Sequence, residues 1–152
     1  MQKNGFEVDA NNIVESDSDS NRIGIRGLVR TSYWTQIRDI EKDKWVVPFK
    51  FSDSFSDFAK GRVRTALRQL ESEICILFKE EMYPVGNYIN IIDDGGCYSQ
   101  LGMVGGAQLL SLSQSYCMSN GVIQHEFLHS LGLHHEQVRP DRDNYVEVLL
   151  IK

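Results

Sequence analysis

The sequence predicts a sheet with helices packed on it, of α+β or α/β class. The apolar pattern alternates between strand-like and helix-like periods in the order strand, helix, strands, helix, and no internal repeat is visible. The length bounds the architecture further: 152 residues favour one domain, large enough to bury a core without metals or disulfides being compulsory.

Residues 1 to about 30 stand apart from the rest. Glu15 to Asn21 is acidic and serine-rich with no apolar residue, so it cannot bury enough surface to offset its ordering entropy. Arg22 to Arg30 is short and basic with two glycines. It reads as an exposed linker with trypsin-like cleavage points at Arg26 and Arg30, or equally as a surface loop. The compact part is expected to begin near Trp45. Trp45 to Phe51 is rich in strand formers, and Pro48 suits an edge strand or a strand start. Phe55, Phe58, Val63, Ala66, Leu67, Leu70, Ile74 and Leu77 then recur at spacings of three to five. This predicts an amphipathic helix from about Ser56 to Phe78, its stripe serving as core packing. Pro84 and Gly86 break the chain before a strand, Tyr88 to Ile92, which stops at Asp93-Asp94-Gly95-Gly96. Gly102 to Gly106 is glycine-rich but lacks the Lys-Ser/Thr pair of a phosphate loop. A further strand, Gln108 to Ser113, and a helix, Val122 to Leu133, complete the pattern.

Composition narrows the function. The net charge of -5 argues against nucleic-acid binding, which needs a basic face to neutralise phosphates. No apolar run approaches the roughly 20 residues that span a bilayer, and the first residues lack the apolar core of a signal peptide. Cys75, Cys97 and Cys117 make an odd count. They read as buried thiols of a cytosolic protein, or as one disulfide plus an orphan, and composition does not choose between them.

All four histidines fall in one segment, His125-Glu126-Phe127-Leu128-His129-Ser130-Leu131-Gly132-Leu133-His134-His135. On a helix His125 and His129 are i and i+4, so both imidazoles project from one face, one turn apart. That spacing lets two nitrogens reach a single Zn²⁺ at roughly 2.0–2.1 Å. Gly132 can take φ > 0 and end the helix, returning a third imidazole from His135. Three neutral nitrogens leave one coordination position open, as a catalytic zinc requires and a structural zinc does not. Glu126, beside the first ligand, is placed to act as general base toward a water. His134 falls off the ligand spacing and reads as a packing or rim residue.

The full pattern HExxHxxGxxH resembles that of metzincin metalloproteases. The next residues narrow the likeness: His135 to Val146 resembles the astacin signature, in which HE-x-x-R-x-DRD-x-Y begins at the third ligand. Val46-Val47-Pro48-Phe49 looks like the opening strand of that family, and Gly96 to Gly102 like its cysteine-bearing turn. The resemblance covers about Trp45 to Val148, and the fish hatching-enzyme branch looks nearest.

This resemblance implies an α+β fold, a twisted, mostly parallel sheet with two packed helices: the N-terminal lobe (31–152) of a zinc endopeptidase catalytic domain, behind a prosegment or linker (1–30). It implies His125, His129 and His135 as ligands of one Zn²⁺, Glu126 as base, and hydrolysis of protein or peptide substrates. It further implies secretion, zymogen activation by a protease near Arg26 or Arg30, and Glu136 close to the new N-terminus. Arg139, Asp141, Arg142 and Asp143 are expected to form a structural salt-bridge network. Cys97 and Cys117 match a family disulfide, and Cys75 the partner of a cysteine further downstream, which moves the cysteine reading toward an oxidising compartment. Two departures stand out. Few residues follow His135, so the C-terminal lobe that the resemblance implies, with its methionine turn and zinc-side tyrosine, is expected to be missing from these 152 residues; Met103, Met118 and Tyr145 do not replace them. The prosegment motif F-x-G-D reads Phe6-Glu7-Val8-Asp9 here, which weakens Asp9 as a latency ligand. The alternative reading is a catalytically impaired zinc-binding fragment acting as an interaction module.

Overall fold

Four consecutive residues, Val46 to Phe49, are buried, which requires a strand covered on both faces. In the computed structural model, which describes residues 33–147, that strand is the hub of a six-stranded sheet. The elements are β1 (Arg38–Asp39), β2 (Lys44–Phe51), α1 (Asp57–Glu73), β3 (Ile76–Glu80), β4 (Tyr88–Ile92), β5 (Cys97–Ser99), β6 (Ala107–Leu112) and α2 (Asn120–Ser130). Two single-turn 3₁₀ helices come after α2, Glu136–Val138 and Arg142–Asn144. Asp9, Arg26 and Arg30 lie outside the described residues.

The strand order is β1-β2-β4-β6-β5, with β3 on the other edge of β2. β2 pairs parallel with β3 and β4, and β4 parallel with β6, while β1 and β5 join antiparallel. The sheet is therefore mixed, a correction to the mostly parallel sheet expected from sequence. Its antiparallel members have two and three residues, too short for a period to show.

Pro48 is also corrected: it lies inside a strand with neighbours on both edges. The Trp45 N–H donates to Cys75 O on the β3 side, and the Val46 N–H to Ile37 O on the other. Alternation puts the Pro48 nitrogen on the second edge, past the last β1 pair at Trp45 and before the first β4 pair at Phe49. No ladder hydrogen bond is lost there, which is the condition for proline within a sheet.

α1 starts where Ser56 accepts a hydrogen bond from the Ala59 N–H at 3.3 Å. Ala59, Val63, Ala66, Leu67 and Leu70 face the core, but Phe58, counted in the stripe from sequence, is exposed. The helix stops at Glu73 rather than Phe78, with Ile74 extended. Ile76, Leu77 and Phe78 are consecutive apolar residues, which a one-sided helix cannot bury and a strand can. The Phe78 N–H donates to Glu71 Oε1 at 2.6 Å, and its ring packs edge-on against Phe127 at 5.0 Å.

Phe127 is the anchor of α2. It is fully buried, also meeting Phe49 edge-on at 6.3 Å. Residues two positions away on a helix point to the opposite side, so burying Phe127 turns His125 and His129 away from the sheet. The compact part begins before Trp45: Trp34 is buried in the same core.

Candidate metal centre

Ser119 caps α2, and the helix ends in a Schellman motif. The Gly132 N–H donates to His129 O at 2.8 Å and the Leu133 N–H to Leu128 O at 3.0 Å. Gly132 adopts φ 99°, open to glycine and strained for other residues. The chain thereby doubles back, and His135 comes to face the helix.

The result is a trio. The Nε2 atoms of His125, His129 and His135 lie 3.0 Å apart in every pairing. The His129 Nδ1 lies 2.7 Å from Leu133 O. A carbonyl only accepts, so Nδ1 carries the proton and Nε2 presents a lone pair to the other two rings. Burial pushes the His129 imidazole down to about 4, and burial followed by the neighbouring His135 also lowers His125. Both rings are therefore neutral near pH 7. Imidazole nitrogens gathered in this way are a donor set for a divalent cation, and the three residues form a group that could hold a metal ion. Their chemistry and spacing fit zinc.

Glu126 projects from the next position and is 1% exposed. Its Oε2 is buried with no hydrogen-bond partner among the described residues. Burial pushes the carboxyl up to about 7. His134 is half-buried and stays out of the trio.

Beyond His135 the charges form two groups. Arg139 holds Asp141 through two parallel contacts of 3.0 Å and Glu136 at 2.6 Å, and its guanidinium lies over the Tyr145 ring at 5.5 Å. Arg142 meets Asp143 at 3.3 Å and donates to Gln137 O at 2.8 Å. Cys97 and Cys117 are joined by a disulfide, with Cα atoms 5.8 Å apart, while Cys75 is an exposed free thiol.

Sequence reasoning missed what supports the end of α2. The Trp34 Nε1 donates to Ser130 O at 2.8 Å, and the Gly102 N–H to His129 O at 2.9 Å. The one signal for Trp34 in the sequence is a bulky aromatic in a stretch otherwise poor in core residues.

The model of the family described as Astacin, a peptidase family, matches residues 37–151. The chain belongs to the astacin family. Zinc metalloproteinase nas-13 of Caenorhabditis elegans is 35% identical over 125 residues, 81% of this chain and 26% of the relative. High choriolytic enzyme 2 of Oryzias latipes is 40% identical over 103 residues, covering 68% of this chain and 37% of the relative. The solved structure of High choriolytic enzyme 1, a hatching enzyme zinc-protease of Oryzias latipes, superposes with a TM-score of 0.68 at 35% identity. That superposition covers 76% of this chain and 56% of the other. This astacin chain thus spans between a quarter and two fifths of these curated relatives. By name nas-13 is a zinc metalloproteinase and High choriolytic enzyme 1 a zinc-protease, and the histidine trio of this chain could hold one such ion.

Proposed function

We propose that this astacin chain is a zinc-dependent endopeptidase in which His125, His129 and His135 bind the metal and Glu126 is the general base. The mutual approach of the three Nε2 atoms at 3.0 Å carries this reading. Bound zinc would supply a Lewis acid, polarising the substrate carbonyl and making water acidic enough to attack near neutral pH. The His129–Leu133 hydrogen bond fixes the tautomer that leaves Nε2 as a donor. The buried Glu126 carboxylate takes a proton from the attacking water as the C–O bond forms, and delivers it to the amine nitrogen as the C–N bond breaks. No covalent enzyme intermediate is needed.

Protein or peptide substrates follow from this chemistry. The Cys97–Cys117 disulfide supports an oxidising, extracellular setting. Residues 1–30 fit a prosegment, with Arg26 or Arg30 as the point where an activating protease cuts.

The test measures zinc content and cleavage of a casein-type substrate by the chain and its Glu126→Gln variant. One zinc per chain, with cleavage reduced at least about 100-fold in the variant, is expected. Equal cleavage by the two proteins removes Glu126 as base. Zinc without cleavage in either leaves the non-enzymatic module as the better description, and no zinc overturns both.

A further inference from the structure

The last carbonyls of a helix have no partner within it. In α2 two of them are met from elsewhere in the fold, beside the ligands. His129 O accepts from the Gly102 N–H at 2.9 Å as well as from Gly132. Ser130 O accepts from the Trp34 indole at 2.8 Å, across 96 residues of sequence. Gly102 is itself held. Gln108, only 1% exposed on β6, donates through Nε2 to Gly102 O at 2.9 Å and accepts at Oε1 from the Val104 N–H at 3.2 Å. A glutamine buried in a sheet core is costly unless its amide is satisfied, and both ends of this amide grip one loop. Trp34 is likewise buried, its polar atom spent on the helix end.

We propose that Trp34 and Gln108 are positioning residues which clamp the C-terminal turn of α2 from two sides, and so set the distance between the His129 and His135 nitrogens. The turn between Ser130 and Leu133 determines where His135 returns. A shift of the His129 or Ser130 carbonyl would tilt that turn and open the trio. Each acts through a backbone carbonyl at or next to His129, Trp34 directly on Ser130 O and Gln108 by way of Gly102. This inference rests on the zinc reading above.

The experiment uses the 152-residue chain and its Trp34→Phe and Gln108→Leu variants. Trp34→Phe keeps an aromatic ring and deletes the N–H; Gln108→Leu keeps bulk and deletes both amide contacts. Three quantities are read: melting of the metal-free protein, zinc affinity by competition with a chelating dye, and the visible absorption of the Co²⁺-substituted form. Expected are folded metal-free proteins, zinc affinity weaker by about tenfold, the lower end for changes around a metal site, and altered Co²⁺ bands. Affinity within twofold of the parent with unchanged bands overturns the clamp. So does a variant that no longer folds, because the residue then serves the fold and not the site. Failure of the parent chain to bind either metal would instead overturn the zinc reading, so the two failures are distinguishable.

Discussion

At the scale of single residues, Asp94 and Tyr98 form a titrating pair on the surface at the start of β5. Ser111 Oγ donates to Asp94 Oδ1 at 2.5 Å, and the Tyr98 hydroxyl donates to Asp94 Oδ2. These bonds, Ser111 first, hold the Asp94 carboxyl below its usual range, and Asp94 is the main cause pushing the Tyr98 phenol up to about 12. The signs follow from linkage. The Tyr98 contribution is whole below its unfolded value near 10 and is lost as pH climbs through about 12. The Asp94 contribution is whole above about pH 4 and is lost as pH falls. In Asp94→Asn, Tyr98 should titrate nearer 10, visible as earlier tyrosinate absorbance in a difference titration against the parent; coincident curves would refute the pairing. The histidine trio was legible at this scale because its spacing is local: three histidines and a glycine within eleven residues. Trp34 and Gln108 were not, since their partners are set by tertiary contact.

At the scale of elements, a helix needs only its own period and a cap to be read, and α2 is legible to within two or three residues of its bounds. α1 is legible with its start correct and its end five residues too long, because Ile74 and Leu77 continue the helical spacing into β3. β2, β4 and β6 show as apolar runs between turn residues. β1 and β5 carry no such run; pairing to β2 and β6 makes them strands. Within α1, Gly61 weakens the helix without evident return: a Cβ there meets nothing within 4 Å. Gly61→Ala should stabilise the protein by about 0.5–1 kcal/mol through lower backbone entropy in the unfolded chain. A urea midpoint that stays put or falls would show that this glycine answers a constraint other than space.

At the scale of the molecule, strand order and mixed polarity depend on which distant segments meet, and no local pattern encodes that. Family likeness conveyed the general layout but overstated the parallel share, since the two short antiparallel strands lie at the margins of the sheet. The Cys97–Cys117 bridge ties β5 to the segment leading into α2, closing 20 residues. On the chain-entropy model this stabilises by about 3 kcal/mol, so a double Cys→Ala variant should lose about that much in denaturant unfolding. An unchanged midpoint would mean the loop is already ordered in the unfolded ensemble.

β2 has companions along both margins, with β3 on one side and β1 and β4 sharing the other. In deuterated solvent the amide of Val47 should therefore be among the last to exchange, opening only when the whole domain comes apart, whereas β5, at the end of the strand order, should label early. The strand whose proline first suggested a border would then mark the most slowly opening part of the molecule.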